Sequence, residues 1–205
     1  MTNSNTDFDR WQTRFAAPGY LFGTAPNAFL KSQAHRLRPG QKALALADGE
    51  GRNGVWLAEQ GLDVLSLDFS TVAQDKARAL AGKRGVRLRV ERADLSRWDW
   101  PVNEFDVVAA IFIQFADAVL RSKIFAGIKK ALKPGGLLLL QGYSPKQLEY
   151  KTGGPSEIER LYTRELLEKS FADFSSVEIA EHDSAIEEGA GHAGMSALID
   201  VVARK

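Results

Sequence analysis

The chain has 205 residues, of which 44% are hydrophobic and 26% are charged, a composition typical of a globular protein rather than a disordered chain. Lysine and arginine number 27 against 26 aspartates and glutamates, for a formal net charge of +1. This balance gives no electrostatic reason to expect nucleic acid or a membrane surface as a partner. The sequence contains no cysteine, which excludes disulfides, thiolate metal sites and cysteine nucleophiles.

The first 15 residues, MTNSNTDFDRWQTRF, are polar and lack the apolar stretch of a signal peptide. No apolar run in the sequence approaches the ~18 residues that a membrane-spanning helix requires. We therefore expect a cytoplasmic protein. The 3 histidines lack the spacing of metal ligands, so no metal site is predicted.

Apolar segments alternate with amphipathic segments along the chain, which is typical of a parallel α/β sheet. A short apolar run is followed each time by a segment with helical periodicity, and the fourth run is apolar on both faces, as a central strand requires. Strands are predicted at 42–47, 63–67, 86–95, 105–113 and 137–143, with helices at 53–60, 71–84 and 117–131.

After the fifth strand the pattern changes to a helix at 163–171 and strands near 176–182 and 197–203, which permits a terminal antiparallel hairpin. The sequence therefore predicts a Rossmann-like, doubly wound α/β fold whose seven-stranded sheet is mostly parallel with a C-terminal antiparallel strand. We expect a single domain over 1–205, in which 1–38 form an N-terminal lid and 39–205 form the core.

A glycine-rich turn joins the first strand to the following helix. Gly49, Gly51 and Gly54 spell G-x-G-x-x-G there. Such glycines allow a ligand to approach the backbone closely, and the helix N-terminus offers free N–H groups. The pattern alone is equally compatible with a tight turn that binds nothing.

Two carboxylates strengthen the ligand-binding interpretation. Asp68 ends the second strand and Asp94 the third, and the carboxyl ends of neighbouring parallel strands face a common crevice. A carboxylate at Asp68 is suited to accept hydrogen bonds from both ribose hydroxyls, although it could instead cap the turn at Ser70. Together with the glycines, these positions predict a binding site for an adenosine cofactor.

The charge of the turn distinguishes between cofactors. Asp48 and Glu50 lie inside it and would repel a pyrophosphate, whereas they would favour the cationic sulfonium and amino groups of S-adenosylmethionine. An NAD-dependent oxidoreductase is the alternative, but the sequence lacks a Tyr-x-x-x-Lys motif. A nonenzymatic cofactor-binding domain is a third interpretation.

Five motifs in order resemble the class I S-adenosylmethionine-dependent methyltransferases. They are LALADGEGRN, VLSLDFS, ADL at 93–95, FDVVAAIFI and LKPGGLLLL. The segments GEGRNGVWLAEQGLDVLSLDFS and RWQTRFAAPGYLFGTAPNAFL resemble in particular the tellurite-resistance and thiopurine methyltransferase branch. The resemblance implies S-adenosyl-L-methionine as the cofactor and methyl transfer to a small-molecule acceptor as the activity.

The same resemblance implies roles for individual residues. The turn residues would hold the methionine end of the cofactor, and the end of the second strand would hold its ribose. The end of the third strand would contact the adenine, and the end of the fourth strand would contact the sulfonium. The N-terminal segment would close over the bound cofactor. The implied cofactor-binding residues are Ala47, Asp48, Gly49, Glu50, Gly51, Asp68, Phe69, Ser70, Asp94, Leu95, Ile111, Trp11, Arg14 and Tyr20.

The acceptor is less well defined by the sequence. No Asn-Pro-Pro-Tyr element follows the fourth strand and no general base stands out, which favours a thiol or a tellurite- or selenite-type oxyanion over an amine. The catalytic residues are not identified. Candidate substrate-binding residues are Phe22, Gln114, Tyr143 and His192, with packing as the alternative for Tyr143 and an exposed loop position for His192. Arg160 and Arg164 would suit an anionic substrate or a solvated surface.

Overall fold

A single seven-stranded sheet organises the computed structural model, which describes residues 4–189 and 191–205. The strand order is β3-β2-β1-β4-β5-β7-β6. Strands β1 to β5 pair in parallel, and β7 runs antiparallel to both β5 and β6. The predicted fold class is confirmed. The strands are β1 Lys42–Leu46, β2 Asp63–Asp68, β3 Arg89–Arg92, β4 Phe105–Ile111, β5 Leu132–Tyr143, β6 Ser176–Glu187 and β7 Ala193–Arg204.

Helices follow β1, β2 and β4, and the helices after β2 and β4 begin at side chains that accept hydrogen bonds from free backbone N–H groups. Ser70 caps the helix after β2 by accepting from Ala73 N–H, and Asp117 caps the helix after β4 by accepting from Leu120 N–H. The α-helices are α1 Ser4–Ala16, α2 Ala28–Ser32, α3 Arg52–Glu59, α4 Thr71–Arg84, α5 Ala118–Ala131, α6 Gln147–Tyr150 and α7 Arg164–Ser170.

The sheet is buried on both faces at its centre. Val107 and Val108 of β4 are both fully buried, although they point to opposite faces. One face packs against Leu30 and Leu57, and the other packs against Ile128. Burying apolar side chains of this size stabilises the fold by roughly 1.5–3 kcal/mol each. The carboxyl ends of β1, β2 and β4 are therefore held in a rigid frame.

Four strands differ clearly in length from their predictions. Strand β3 is shorter, and β6 and β7 are longer because they form a continuous ladder up to the pair Glu187–Ala193. Strand β5 begins at Leu132 rather than 137, because its pairing with β4 shifts register between Phe105–Leu132 and Val107–Leu137, which accommodates the Lys-Pro-Gly-Gly segment in β5. Hydrophobic alternation does not reveal such backbone pairing, since much of β6 is exposed.

The N-terminal segment is attached to the start of α4. Gln12 donates a hydrogen bond to Thr71 Oγ1 (3.0 Å) and accepts one on Oε1 from Ser70 Oγ. Lys76 Nζ donates to the carbonyl oxygens of Ala17 (2.8 Å) and Gly19 (2.6 Å). Residues 1–3 of the predicted lid lie outside the described residues. Within the described part of the chain, no helix is both long and apolar enough to cross a membrane.

Candidate active site

A cavity of about 500 Å³ opens at the carboxyl ends of β1 to β4, where the strand order reverses between β1 and β4. Such a reversal is where open α/β sheets bind ligands. The volume lies within the range of small-molecule sites. The cavity is lined by Trp11, Phe15, Phe22, Ala47, Asp48, Gly49, Arg52, Asn53, Leu67, Asp68, Phe69, Ala93, Asp94, Leu95, Ser96, Ile111, Phe112, Phe115, Asp117, Leu120, Arg160 and His192.

The three glycines of the turn do not all serve the same purpose. Gly49 has a φ of +58° and lines the cavity. Gly51 has a φ of +87°, and a Cβ there would lie 2.6 Å from the Cβ of Ala77 in α4. A Cβ at Gly54 would collide with the carboxylate of Asp48. Of the three, Gly49 is therefore the glycine that leaves room at the cavity, while Gly51 and Gly54 permit close packing behind the turn.

Asp68 holds the turn and also faces the cavity. Its Oδ2 accepts a hydrogen bond from Gly49 N–H (2.8 Å), and its Oδ1 accepts from Ser70 N–H (2.8 Å). Burial raises the pKa of Asp68 above its usual range, although the backbone donors act in the opposite direction. Each carboxylate oxygen keeps a lone pair for a further donor. This carboxylate can thus support the turn and accept ligand hydroxyls together.

Asp48 is enclosed behind the turn. Its carboxylate accepts hydrogen bonds from Ser66 Oγ (2.7 Å) and Gly54 N–H (3.1 Å). Burial raises the pKa of Asp48 to about 7, with the nearby charge of Asp68 acting in the same direction and these hydrogen bonds opposing it. A cationic ligand in the cavity would favour its ionised form.

Glu50 does not line the cavity. Its carboxylate is buried, accepts from Leu21 N–H (2.6 Å) and pairs with Lys76 Nζ at 2.8 Å. Its charge is thereby neutralised, so it does not repel phosphate as the sequence interpretation assumed. Glu50 instead attaches the N-terminal segment to α4.

The adenine side of the predicted site is formed at the ends of β2 and β3. Asp94 Oδ1 accepts from Ser96 N–H (2.9 Å) and Ser96 Oγ (2.6 Å), which fixes the carboxylate at the cavity wall. Phe69 and Leu95 add apolar surface. Ser70, by contrast, is fully buried as the cap of α4 and does not line the cavity.

Aromatic side chains of the N-terminal segment cover the cavity. Trp11 stacks on Phe15 with ring centroids 5.4 Å apart, and Phe22 lies 6.3 Å from each of these rings. The Arg14 guanidinium lies 4.6 Å from the Trp11 ring centroid. Arg14 and Tyr20 do not line the cavity themselves; the Tyr20 hydroxyl donates to Lys76 O (3.3 Å).

His192 lies among aromatic rings that line the cavity. Its ring centroid is 4.4 Å from that of Phe22 and 4.3 Å from that of Phe112. Burial lowers the pKa of His192 to about 3, and the charges of Arg52 and Arg14 act in the same direction. The imidazole is therefore neutral at physiological pH. The loop-surface interpretation of His192 is wrong for this structure, since the residue lines the cavity.

Two of the four substrate candidates serve the fold instead of lining the cavity. Gln114 bridges backbone groups: its Nε2 donates to Tyr143 O (2.9 Å) and Arg160 O (3.1 Å), and its Oε1 accepts from Tyr143 N–H. Tyr143 is fully buried behind Phe112. Phe22 and His192 are the candidates that reach the cavity, as does Arg160, whereas Arg164 pairs with Glu181 on the surface.

Sequence reasoning missed the residue at the first turn of α3. Arg52 lines the cavity, is 7% exposed and forms an ion pair with Glu188 (2.6 Å). Its position directly after Gly51 was the signal available in the sequence. The other unassigned lining residues are apolar or short polar side chains without a motif: Phe15, Asn53, Leu67, Ala93, Ser96, Phe112, Phe115, Asp117 and Leu120.

The side chains present fit S-adenosylmethionine better than a dinucleotide. Asp48, Asp68 and Asp94 bring three carboxylates to a cavity with aromatic walls. Carboxylates suit ribose hydroxyls and cationic groups, whereas they repel phosphates. Among residues 4–189 and 191–205, no group of three His, Cys, Asp or Glu residues is placed to hold a metal ion.

Known proteins with related sequences are methyltransferases. Residues 43–136 match the family model described as a methyltransferase domain. The ribosomal protein L11 methyltransferase of Thermus thermophilus is 33% identical over 129 residues, which cover 61% of this chain and 49% of that protein. The demethylmenaquinone methyltransferase of Beutenbergia cavernae is 36% identical over 114 residues, which cover 52% of this chain and 42% of that protein. The chain thus spans half or less of the length of these relatives.

Solved structures with low sequence identity share the fold. A protein studied for the conversion of a disulfide bond into a thioacetal group during echinomycin biosynthesis has a TM-score of 0.75 at 19% identity, covering 97% of this chain and 93% of its own. A SAM-dependent methyltransferase from Aquifex aeolicus has a TM-score of 0.62 at 15% identity, and the match covers 85% of this chain and 88% of that chain. TehB from Haemophilus influenzae has a TM-score of 0.69 at 17% identity, and the match covers 97% of this chain and 66% of that chain.

The fold and the matched segment 43–136 are thus similar to those of S-adenosylmethionine-dependent methyltransferases.

Proposed function

We propose that this chain transfers a methyl group from S-adenosylmethionine to a small-molecule acceptor. The observation that carries the proposal is the position of Asp68: its carboxylate faces the cavity at the end of β2 while it holds Gly49 of the adjacent turn. The match of residues 43–136 to a methyltransferase domain supports the same conclusion.

The residues of the cavity suggest a role for each part of the cofactor. Asp68 would accept from the ribose hydroxyls, and Asp94 from the adenine amino group. Phe69 and Leu95 would contact the adenine ring. Residues 47–49 would hold the methionine end, where Asp48 supplies negative charge. Segment 1–38 would serve as a lid, with Trp11 and its neighbouring aromatic rings over the bound cofactor.

S-adenosylmethionine supplies, when bound, a methyl group that its sulfonium has already activated. The chain's own contribution is to orient the acceptor and exclude water. Phe22, Phe112 and His192 form a wall suited to that task, since the ring centroids of Phe22 and Phe112 lie 4.4 Å and 4.3 Å from that of the His192 imidazole.

The acceptor we propose is one that needs no deprotonation by the protein. His192 is a weak base, because its pKa is about 3. A thiolate or a tellurite- or selenite-type oxyanion already carries the charge of the nucleophile. This choice agrees with the resemblance of the glycine-turn and N-terminal segments to the tellurite-resistance and thiopurine methyltransferase branch.

A panel of acceptors tests this proposal. The purified protein is incubated with methyl-labelled S-adenosylmethionine and thiophenol, selenite, tellurite, phenol, benzylamine or a ribosomal protein fraction. We expect label transfer to the thiol or a chalcogen oxyanion at a rate at least tenfold above that to the phenol and amine. Faster transfer to the amine or to protein would contradict the proposed acceptor class, and no transfer to any acceptor would favour a nonenzymatic cofactor-binding domain.

A further inference from the structure

Arg52 is a buried cation with one donor left unused. Its Nη2 pairs with Glu188 Oε2 at 2.6 Å, and both side chains are less than one-tenth exposed. Its Nη1 is buried and has no hydrogen-bond partner among the described residues. An unpaired buried donor on a charged group is costly, so the fold retains this arrangement at the expense of stability.

The unused donor belongs to a residue of the cavity wall. Arg52 lines the cavity beside Asn53, directly after the glycine turn. His192 faces the same cavity, and its Nδ1 is likewise buried without a hydrogen-bond partner in the described part of the chain. Two unsatisfied polar atoms of residues that line one cavity indicate a ligand group that satisfies them.

Glu188 is positioned to hold the guanidinium while leaving Nη1 available. Its Oε1 accepts from Asn27 Nδ2 (2.9 Å) and Ala28 N–H (3.1 Å), so its carboxylate is fixed from a second direction. Asn27 in turn accepts on Oδ1 from Leu30 N–H and donates to Gln141. The carboxylate neutralises part of the charge of Arg52 but occupies only one edge of the guanidinium.

We propose that Arg52 binds an oxyanion group of the cavity's ligand through Nη1, with Glu188 as the residue that orients the guanidinium. The ligand class is a carboxylate or a similarly charged oxyanion, because a guanidinium edge matches that geometry. The oxyanion has two possible sources, the acceptor or the methionine carboxylate of the cofactor; the assignment of these sources rests on the proposed function.

Calorimetric titrations distinguish the two sources. S-adenosylhomocysteine and 5′-methylthioadenosine form one matched pair, because the second lacks the amino-acid end. Benzoate and benzamide form the other pair, because they share a ring but differ in charge and suit the aromatic walls. Each probe is titrated into the full chain, and benzoate and benzamide are titrated with and without saturating S-adenosylhomocysteine.

The double variant Arg52→Gln/Glu188→Gln removes the donor without leaving a buried unpaired charge. If the oxyanion belongs to the cofactor, we expect this variant to weaken the binding of S-adenosylhomocysteine by roughly tenfold or more and to leave the binding of methylthioadenosine unchanged. If the oxyanion belongs to the acceptor, we expect the same loss for benzoate and no change for benzamide. The control Arg36→Gln/Glu178→Gln removes an exposed pair of the same type (3.0 Å) and leaves every affinity unchanged.

The single variant Glu188→Gln keeps the inference testable if the double variant does not fold. It leaves the charge of Arg52 less neutralised, so it should tighten binding of the same oxyanion probe. Unchanged affinities for all four probes in folded double-variant protein, or an unchanged oxyanion affinity in Glu188→Gln, would overturn the role of Arg52. Absence of binding of both adenosyl compounds to the unmodified protein would contradict the proposed function, whereas benzoate would still decide the role of Arg52.

Discussion

Asp68 Oδ2 lies 2.8 Å from the backbone nitrogen of Gly49, so the end of β2 is hydrogen-bonded directly to the turn that follows β1. One carboxylate thereby shapes the turn and faces the cavity. We expect Asp68→Ala to weaken S-adenosylhomocysteine binding about 10- to 100-fold, the loss of one or two charge-assisted hydrogen bonds. Calorimetry measures the change.

Asp63→Ala is the matched control for that substitution. Asp63 begins the same strand at the other end, and its side chain is half exposed beside Arg89. Its removal should leave the affinity unchanged. Equal losses in the two variants would indicate damage to β2 and not the loss of a ligand contact.

Alanine substitutions at Gly51 and Gly85 distinguish two contributions to the free energy of unfolding, the strain of a positive φ and the steric crowding of an added Cβ. Both have positive φ, +87° and +68°, but a Cβ at Gly51 would lie 2.6 Å from Ala77 Cβ, whereas nothing lies within 4 Å of one at Gly85. We expect Gly85→Ala to lower the free energy of unfolding by about 1 kcal/mol. Gly51→Ala should cost about 3 kcal/mol, since overpacking is added.

Chemical denaturation of the two glycine variants measures these free energies. Similar losses for Gly51→Ala and Gly85→Ala would mean that α3 and α4 separate readily, contrary to the packing described here.

Glu50 should control the attachment of the N-terminal segment. Its carboxylate pairs with Lys76 and accepts from Leu21 N–H, and removing its charge leaves Lys76 without that partner. We expect Glu50→Gln to lower the free energy of unfolding by about 2 kcal/mol and to increase protease cleavage between residues 16 and 24. Gel electrophoresis with sequencing of the fragments reports the cleavage site.

An exposed ion pair provides the comparison for Glu50. Glu59 pairs with Arg84 at 3.5 Å on the surface. Glu59→Gln should change the free energy of unfolding by less than about 0.5 kcal/mol and should not alter cleavage. Unaltered cleavage in Glu50→Gln would show that other contacts suffice to hold the segment.

Asp48 should make the fold less stable as the pH rises from about 4 to 7. Its pKa is raised from the ordinary value of 3.8 to about 7 in the folded chain, mainly by burial. The folded state therefore binds more protons than the unfolded state in this window, so stability falls as the pH rises through it. Asp48→Asn should remove this component and increase stability at pH 8 by about 1–3 kcal/mol.

The pH effect of Asp48 is read from the difference between the unmodified protein and Asp48→Asn, because other groups titrate in the same range. Burial of neutral His192 acts in the opposite direction between pH 3 and 6.5, since its pKa is lowered to about 3. Denaturation series from pH 4 to 8 give the difference. A difference that does not change across this range would contradict the raised pKa of Asp48.

The fold class and the central part of the cavity could be predicted from the sequence. Asp68 is the last residue of β2, and Asp94 comes two residues after β3. Such placement depends on local patterns and on the rule that parallel strands end at one edge. The glycine pattern was also visible, but it did not reveal that Gly51 and Gly54 serve packing.

Contacts between distant segments could not be predicted in the same way. The burial of Glu50 depends on Lys76 and Leu21, and that of Arg52 depends on Glu188, which lies 136 positions later in the chain. No local periodicity indicates such a partner. The exposed loop position considered for His192 was wrong for the same reason, because the enclosure of His192 comes from Phe22 and Phe112 of other elements.

Competing calorimetric titrations of S-adenosylhomocysteine and NADH into the purified chain test the central claim most directly. We expect S-adenosylhomocysteine to bind with micromolar or tighter affinity and NADH to show no measurable binding, because the carboxylates of Asp48 and Asp68 lie at the glycine-rich turn and repel a pyrophosphate, while Glu188 neutralises part of the charge of Arg52. Binding of NADH alone would contradict the account and would restore the dinucleotide interpretation of the glycine-rich turn.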